Sequence, residues 1–340
     1  MATVNEMKTL LRSAMAPNPA QFSAAEANTA AINAIIEKYG LQDASAREIR
    51  MAQPAVFAMI EEAVEELLPR AIEDVVGGWV ETKTFARDAA PVFELKGIGK
   101  GRARLGITEG ARGGIYKARR LDTRSFEVPC KVETIGNFVT LEEILLGTVS
   151  LAELMANITE GFVEKIYINC VKALRTAKTL APEANIKSGN GFAPATVDGL
   201  VRIASAYGTP VIMGFRSAIA KINNGTNWTG VTPNVALSDL DDMRTKGFVG
   251  MYKGVPVVEI PNYIADEGNN EFVFMENDIF ILPTEGKPVK VAMKGDVYVQ
   301  DYTHPSGSVE QNAHRIIGVG LLLANSICVY TDNDITGGLY

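Results

Sequence analysis

The chain has 340 residues, of which 47% are apolar, 21% charged and 7% aromatic. These proportions are ordinary for a globular protein, and they exclude a chain that is disordered or of low complexity. The 33 basic and 40 acidic residues give a net charge of −7, which argues against a generally basic nucleic-acid-binding protein.

The N-terminal part of the chain is predicted to be an arm followed by a helix. Residues 1–54 are polar and rich in alanine, which indicates an extended arm with one or two short helices. From Ala55 to Val76, apolar residues recur at helical spacing opposite a row of glutamates, as in an amphipathic helix. Pro69 should kink this helix, and Gly77-Gly78 should end it.

Residues 79–135 are predicted to form a long hairpin. The stretch Phe126–Val132 alternates apolar and polar residues, as a strand with one buried face does, and its expected partner is the stretch 91–95. The connection between them, residues 97–114, contains seven glycines. Because an isolated two-stranded ribbon is only marginally stable in water, such a hairpin needs another surface to lie on.

The longest predicted helix runs from Ser150 to Leu180. It opens with a capping-box pattern, Ser150 to Glu153. An apolar row with four-residue spacing follows: Leu154, Ile158, Phe162, Ile166, Cys170 and Leu174. A helix of this length would measure roughly 45 Å and could form the backbone of a whole domain.

The rest of the chain alternates short helices and strands, which together with the hairpin predicts an α+β fold. The predicted helices are 194–207, 215–222 and 238–247, and the predicted strands are 210–214, 271–275, 279–282, 288–293, 297–302 and 316–330. Lys253-Gly254 is expected to be the turn of a further hairpin between 248–252 and 255–260. The strand 316–330 is expected to be long, apolar and central.

The charges of the chain are strongly segregated. Residues 96–131 carry ten basic and three acidic side chains, whereas residues 254–286 carry seven acidic side chains and no Lys or Arg. The candidate basic contact residues at the hairpin tip are Lys100, Arg102, Arg104, Arg112, Lys117, Arg119 and Arg120. The candidate acidic counter-surface consists of Glu259, Asp266, Glu267 and Glu271.

This segregation favours a contact between copies of the chain, because complementary charges steer association and fix its register. Two other interpretations stay open at this point. The basic segment could be a solvated loop, or its arginines could bind phosphate groups. Phosphate binding in a nucleic acid is the less favoured of the two, because residues 96–131 contain only two aromatic residues that could stack on bases, Tyr116 and Phe126.

No motif indicates catalysis. The two histidines, His304 and His314, have no third metal ligand near them in the sequence and are expected at the surface. Residues 97–101 resemble a phosphate-binding loop but lack the Ser or Thr that should follow the lysine. The three cysteines, Cys130, Cys170 and Cys328, are expected in the core. We therefore predict no enzyme activity, no cofactor and no metal.

The cysteine spacing and the lengths of the apolar runs also indicate the cellular environment of the protein. The three cysteines provide neither a disulfide framework nor a zinc motif, which favours a reducing environment. The longest apolar run, Ile316–Ala324, is far shorter than the roughly 20 residues of a membrane-spanning helix, so no membrane contact is expected.

The order of the parts resembles the HK97-type major capsid proteins of tailed double-stranded DNA bacteriophages. An arm and a helix precede a glycine-rich basic hairpin, one very long helix, a mixed α/β middle and a return to apolar strands. The stretches 250–258, 279–283 and 318–330 also resemble that family.

The resemblance implies a division of the chain into the parts of that fold. These would be an N-terminal arm (1–54), an N-terminal helix (55–78), an E-loop that overlies the adjacent subunit (79–135), a peripheral domain with the spine helix (136–187), an axial domain (188–283), and peripheral-domain strands with a C-terminal tail (284–340). It further implies pentamers and hexamers in an icosahedral shell around viral DNA that is bound without sequence specificity. Scaffold and portal proteins would be partners, and the protein would be located in the virion capsid and, during assembly, in the host cytoplasm.

Three other functions are compatible with the sequence. An encapsulin-like nanocompartment shares the fold and differs in what it encloses. An α/β enzyme could bind a phosphorylated ligand through the glycine-rich segment, and it would form a discrete soluble oligomer. A nucleic-acid-binding module would bind DNA with a steep dependence on salt.

Overall fold

A computed structural model of the chain describes residues 24–40, 46–95, 124–138, 151–222, 242, 245–303 and 309–336. The helices in these ranges are α1 (Ala24–Tyr39), α2 (Ala46–Val76), α3 (Leu151–Arg175), α4 (Ala177–Leu180), α5 (Pro194–Ser205) and α6 (Arg216–Ile219). No helix in this part of the chain is long and apolar enough to cross a membrane.

The strands are numbered along the chain. They are β1 (Val80–Phe85), β2 (Val92–Leu95), β3 (Arg124–Glu127), β4 (Cys130–Phe138), β5 (Ile186–Gly189), β6 (Pro210–Gly214), β7 (Met251–Tyr252), β8 (Val255–Glu259), β9 (Asp278–Pro283), β10 (Val289–Thr303), β11 (Val309–Leu321) and β12 (Cys328–Asp332). This mixture of helices and strands confirms the predicted α+β class.

The strands form two large sheets and a small ribbon. The four-stranded sheet has the order β1-β10-β11-β4, and the six-stranded sheet has the order β5-β12-β9-β6-β8-β7. In the first, β1 runs parallel to β10, while β10, β11 and β4 are antiparallel. In the part of the chain that the structure describes, β2 and β3 pair with each other alone, which confirms the predicted pairing at the base of the hairpin.

Helices α2 and α3 cover one face of the four-stranded sheet. The predicted apolar row of α3 is buried throughout, and α2 contributes a second row, Val64, Leu68, Ile72 and Val76. These side chains join strand residues such as Val291 and Ile317 in one core. Since each buried aliphatic or aromatic side chain stabilises the fold by roughly 1.5–3 kcal/mol, the four-residue spacing determines which helix face packs on the sheet.

Two helix boundaries differ from the predicted ones. Helix α2 begins at Ala46 and continues through both Pro54 and Pro69, because burial of its apolar row outweighs the backbone hydrogen bonds that the prolines remove. It ends at Gly77-Gly78, as predicted. Helix α3 ends at Arg175 rather than Leu180, since the hydroxyl of Thr176 donates to the carbonyl of Ala173 at 2.6 Å and a short separate helix follows.

The prediction of a single central strand at 316–330 is wrong. Leu323 adopts a left-handed conformation with φ +64°, and a 3₁₀ turn follows at Ala324–Ser326. The apolar run is thereby divided between β11 of the four-stranded sheet and β12 of the six-stranded sheet. Conversely, the two strands predicted at 288–293 and 297–302 are one strand, β10, whose register shifts between Lys294 and Tyr298.

Two further strand predictions need correction. The stretch 126–132 is divided at Val128-Pro129 between the ribbon and the four-stranded sheet, which leaves Val132 exposed. The stretch 271–275 forms only one isolated bridge, between Phe272 and Ile264. Besides two backbone hydrogen bonds to residues 263 and 265, N–H groups in this stretch donate to the side chains of Asn262 and Asp266.

Several sequence predictions are confirmed, and others lie outside the described residues. Helix α5, strand β6 and the hairpin turn at Lys253-Gly254 occur where predicted. Cys170 and Cys328 are buried, whereas Cys130 is half-buried. The capping serine Ser150 and most of the predicted helix 238–247 lie outside the described residues.

Candidate assembly surfaces

The β2–β3 ribbon is anchored on the four-stranded sheet by a small apolar cluster. Phe93 and Val128 pack with Ala292 of β10, and all three are buried. The ring of Phe93 meets the ring of Phe85 edge to face, with centroids 5.7 Å apart. We call Phe93, Val128, Ala292 and Phe85 the ribbon base. These contacts hold the ribbon against the four-stranded sheet at this point, and the basic segment lies between β2 and β3 in the sequence.

Two glycines on β11 allow the ribbon base to approach the sheet. A Cβ atom at Gly318 would lie 2.7 Å from Sγ of Cys130 and 2.7 Å from the backbone oxygen of Pro129. A Cβ atom at Gly320 would lie 3.2 Å from a methyl group of Val128. Glycine at 318 therefore lets the backbone of residues 128–130 pass close to β11.

The predicted basic contact residues continue from this ribbon in the sequence. Lys100, Arg102, Arg104, Arg112, Lys117, Arg119 and Arg120 all lie between 96 and 123, outside the described residues. The described strands that flank this segment, β2 and β3, are paired in antiparallel register from Val92↔Glu127 to Leu95↔Arg124. The assignment of these side chains to a subunit contact stays a prediction.

Three of the four predicted acidic residues lie close together. Asp266, Glu267 and Glu271 belong to one loop between β8 and β9, residues 261–277, which we call the acidic loop. One carboxylate oxygen of Asp266 accepts hydrogen bonds from the backbone N–H groups of Asn270 and Glu271, both at 2.9 Å. The hydrogen bond from the Glu271 N–H and those from Asn270 hold the pKa of Asp266 below its usual range.

The fourth acidic residue, Glu259, lies apart from this loop at the end of β8. Its carboxylate lies 3.5 Å from the guanidinium of Arg216 in the same subunit. Both side chains are partly solvent-exposed, so this pair contributes little to stability. This pair is not predictable from the sequence, because Arg216 and Glu259 are 43 positions apart. Glu259 is therefore a less accessible candidate for a contact between subunits than the acidic loop.

The acidic loop has a defined conformation. The hydroxyl of Tyr167 on α3 donates to the carbonyl of Pro261. The amide of Asn262 donates to the carbonyl of Phe274 at 2.9 Å and accepts from its N–H at 3.2 Å. The loop presents Ile264 and Phe272 to solvent, 52% and 44% exposed, beside its carboxylates. A loop that is held by these hydrogen bonds and exposes both apolar and acidic groups is suited to bind a basic partner segment.

A buried carboxylate connects the long helix to the six-stranded sheet. Asp278, which is fully buried at the start of β9, lies 3.1 Å from Arg175 and 2.5 Å from Lys178. It also accepts a hydrogen bond from Thr331 on β12 at 2.9 Å. The cluster thus joins the C-terminal end of α3, the helix α4 and two strands of the sheet.

A second carboxylate, Asp332, secures the end of β12. Its oxygens accept hydrogen bonds from Lys221 and from the backbone N–H of Gly191, both at 2.8 Å, and from the N–H of Asp334 at 2.9 Å. Burial alone would raise the pKa of Asp332, but these hydrogen bonds lower it below the usual value.

The features that would favour an enzyme are weak in the described part of the chain. An apolar groove of about 230 Å³ lies between the turn at Gly78-Trp79 and strands β6, β8 and β9, and no charged side chain lines it. His314 lies on β11, with its Nδ1 2.8 Å from the hydroxyl of Thr134, while His304 lies outside the described residues. No cluster of three metal-binding side chains occurs among the residues described here. The groove does not suit a phosphorylated ligand.

Comparison with known proteins identifies the family. The family model described as "SPbeta prophage-derived putative capsid protein YonB" matches residues 6–316. The chain belongs to this family. No curated protein matches the sequence. The matched residues include β1–β10, the ribbon and the acidic loop, and they end within β11, so β12 lies outside the match.

Several solved structures are similar to this chain at low sequence identity. The chain of a satellite phage P4 procapsid that includes the size determination (Sid) protein is 13% identical, with a TM-score of 0.49, and the match covers 85% of this chain and 98% of that one. A chain from a structure of Microbacterium phage Oxtober96 is 11% identical, with a TM-score of 0.45 and coverages of 75% and 90%. The SrpI encapsulin of Synechococcus elongatus PCC 7942 is 11% identical, with a TM-score of 0.41 and coverages of 76% and 87%.

Proposed function

We propose that this protein is the major capsid protein of a phage or prophage, and that many copies of it assemble into a closed shell. The observation that carries the proposal is the match of a capsid-protein family to residues 6–316, nearly the whole chain. The two-stranded ribbon and the acidic loop support it, because both are features that gain from contact with another copy. This function needs no catalytic residue or cofactor.

The parts of the subunit would have the roles that the HK97-type fold gives them. The ribbon and the segment that it carries would form the E-loop, and α3 would be the spine helix of a peripheral domain. The six-stranded sheet with α5 would form most of the axial domain. The pairing of Cys328–Asp332 with Ile186–Gly189 and with β9 supports grouping this last strand with the strands of the axial domain.

The contact between neighbouring subunits would join the basic segment of one copy to the acidic loop of the next. The basic segment carries an excess of seven positive charges over residues 96–131. The acidic loop offers Asp266, Glu267 and Glu271, with Ile264 and Phe272 as apolar neighbours. A head-to-tail contact of this kind generates rings when the rotation closes, as pentamers and hexamers require.

The shell would enclose double-stranded DNA without reading its sequence, and scaffold and portal proteins would be its partners during assembly in the host cytoplasm. An encapsulin-like compartment would form the same kind of shell around an enzyme cargo. The contents separate the two functions. Particles from the native host that contain nuclease-protected DNA support a capsid, whereas particles filled with one enzyme would overturn that assignment and leave shell formation intact.

The proposed contact can be tested by charge reversal in the full chain. The triple variant Arg102→Glu, Arg104→Glu, Arg112→Glu should remain folded but fail to form shells in sedimentation velocity. The matched control reverses three exposed basic residues elsewhere, Arg70, Lys187 and Arg202. Combining the first triple with Asp266→Lys, Glu267→Lys and Glu271→Lys should restore assembly. Normal shells from the first triple would contradict the proposed contact.

A further inference from the structure

Strand β4 is an open edge of the four-stranded sheet. Among the residues that the structure describes, it pairs with β11 on one side and with no strand on the other. Four of its residues are exposed to solvent: Lys131, Val132, Thr134 and Gly136. Because a glycine has no side chain, the exposed surface of Gly136 belongs to the backbone of the strand. An open edge of this kind presents N–H and C=O groups that can pair with a further strand.

This edge lacks the features that usually prevent strands of different molecules from pairing. Proteins protect open edges with prolines, bulges or very short strands. Strand β4 has nine residues and pairs with β11 without a bulge, and Pro129 lies just before it rather than within it. Near its centre, Val132 is 62% exposed. The edge is therefore long, regular and partly apolar.

The two charged residues of β4 have opposite signs and lie on the same face of the strand. Glu133 faces helix α3, where its carboxylate lies 3.8 Å from Lys165 and 3.5 Å from the amide of Asn169. Since side chains alternate along a strand, Lys131 lies on this face too. Both contacts of Glu133 are longer than the about 2.7–2.9 Å of a good charge-assisted hydrogen bond. Glu133 can therefore accept a second cation at closer range.

These charges select one way for two copies of β4 to pair. In an antiparallel pair, residues directly opposite each other point to the same side of the sheet, so a two-fold axis must pass through a residue position. With the axis at Val132, Lys131 of each copy faces Glu133 of the other. An axis at Lys131 or at Glu133 would place equal charges opposite each other, which is destabilising. An axis at Thr134 would pair neither charge with its opposite.

We propose that β4 is an interface between two copies of this chain, which pair antiparallel about a two-fold axis at Val132. The four-stranded sheets of both copies then form one continuous sheet. Helix α3 does not obstruct this, because it packs on β10 and β11 as well as on β4. The contact is isologous and thus differs from the head-to-tail contact of the basic segment with the acidic loop. Within the proposed shell it would join neighbouring rings, but the pairing itself does not rest on shell formation.

Disulfide crosslinking of the full chain tests the pairing. Opposite Cα atoms in an antiparallel pair are about 4.5–5.5 Å apart, which a disulfide can span. The variant Val132→Cys, combined with Cys130→Ser to remove a nearby thiol, should form a covalent dimer with oxidised glutathione. Leu180→Cys with Cys130→Ser is the matched control, since Leu180 is 59% exposed, and it should stay monomeric on a non-reducing gel. No dimer from Val132→Cys, or equal amounts from both variants, would contradict the proposal.

Charge exchange in the Val132→Cys protein tests the position of the axis. Lys131→Glu turns two attractive pairs into repulsive ones and should slow dimer formation by about tenfold. Glu133→Lys should have the same effect for the same reason. Mixing these two variant chains, or combining both substitutions in one chain, brings opposite charges together again and should restore the rate. A rate that does not respond to these changes would contradict the axis at Val132.

The crosslink and the shell are separate readouts. Shells in electron micrographs without the Val132→Cys crosslink would overturn the β4 pairing and leave the proposed function intact. A crosslinked dimer from a chain that never forms shells or rings would support the pairing and overturn the proposed function.

Discussion

Replacing Asp278 by Asn tests how helices α3 and α4 are joined to the six-stranded sheet. The substitution preserves the shape of the side chain and removes its negative charge. Arg175 and Lys178 would then lie beside a neutral amide, with the hydrogen bond from Thr331 as the remaining polar contact. The change is confined to the cluster that connects α3 and α4 to the six-stranded sheet.

The expected destabilisation follows from burial. Breaking a fully buried ion pair costs about 3–5 kcal/mol, because the remaining charge loses both its partner and water. Asp278 is fully buried, but Arg175 and Lys178 keep 16% and 27% of their side-chain surface exposed. The two cations can therefore regain some hydration, and we expect a loss of about 2–3 kcal/mol in the free energy of unfolding. For a chain of 340 residues this corresponds to a decrease of roughly 3–4 °C in Tm.

The unchanged protein and Asp278→Asn are compared in the same assembly state. Circular dichroism during urea unfolding gives the free energy of unfolding, and calorimetry gives Tm. Glu183→Gln is the matched control, since it removes one negative charge from an exposed site close to the cluster in the sequence. The control should change the free energy of unfolding by less than about 0.5 kcal/mol. If Asp278→Asn also lost less than about 0.5 kcal/mol, the reasoning would be refuted. The cluster would then not stabilise the connection of α3 and α4 to the six-stranded sheet.

Three other substitutions test the ribbon and the end of β12. Gly318→Ala places a methyl group against the ribbon base and should reduce the free energy of unfolding by about 1–3 kcal/mol in urea, whereas Gly199→Ala, with open space around it on α5, should raise it slightly. Phe93→Ala should cost about 3–5 kcal/mol and make the ribbon more sensitive to limited proteolysis. Asp332→Asn should cost about 1–3 kcal/mol at neutral pH. Because the pKa of Asp332 is lowered in the folded state, that difference should disappear as the pH falls through this pKa, and a constant difference would contradict the account.

The parts of the fold that the sequence predicts well are those fixed by local patterns. The long helix is predictable because an apolar row at four-residue spacing, from Leu154 to Leu174, is visible along the chain, and this row is buried. The hairpin turn is predictable because a Lys-Gly pair lies between two apolar stretches and glycine readily adopts the positive φ that such a turn requires; both Lys253 and Gly254 have positive φ angles. The resemblance to capsid proteins follows from the order of the parts, and the family match supports it.

The parts that the sequence did not predict depend on contacts between distant residues. The apolar run 316–330 has the pattern of one strand. The chain passes from one sheet to the other at Leu323, which has a left-handed conformation; a glycine would have indicated this conformation, but leucine does not. Nothing near Asp278 indicates that it is buried, because its cationic partners lie about 100 positions earlier. The charge pattern predicts an acidic surface at residues 266–271. It does not predict the loop conformation, because that depends on hydrogen bonds to the side chains of Asn262 and Asp266.

The measurement that tests the central claim most directly is negative-stain electron microscopy of the purified full chain, with size-exclusion chromatography of the same sample. The account predicts closed shells, tubes or isolated rings of five and six subunits, alone or after addition of a candidate scaffold protein. A uniform monomer or dimer that never assembles under either condition would contradict the assignment as a shell protein.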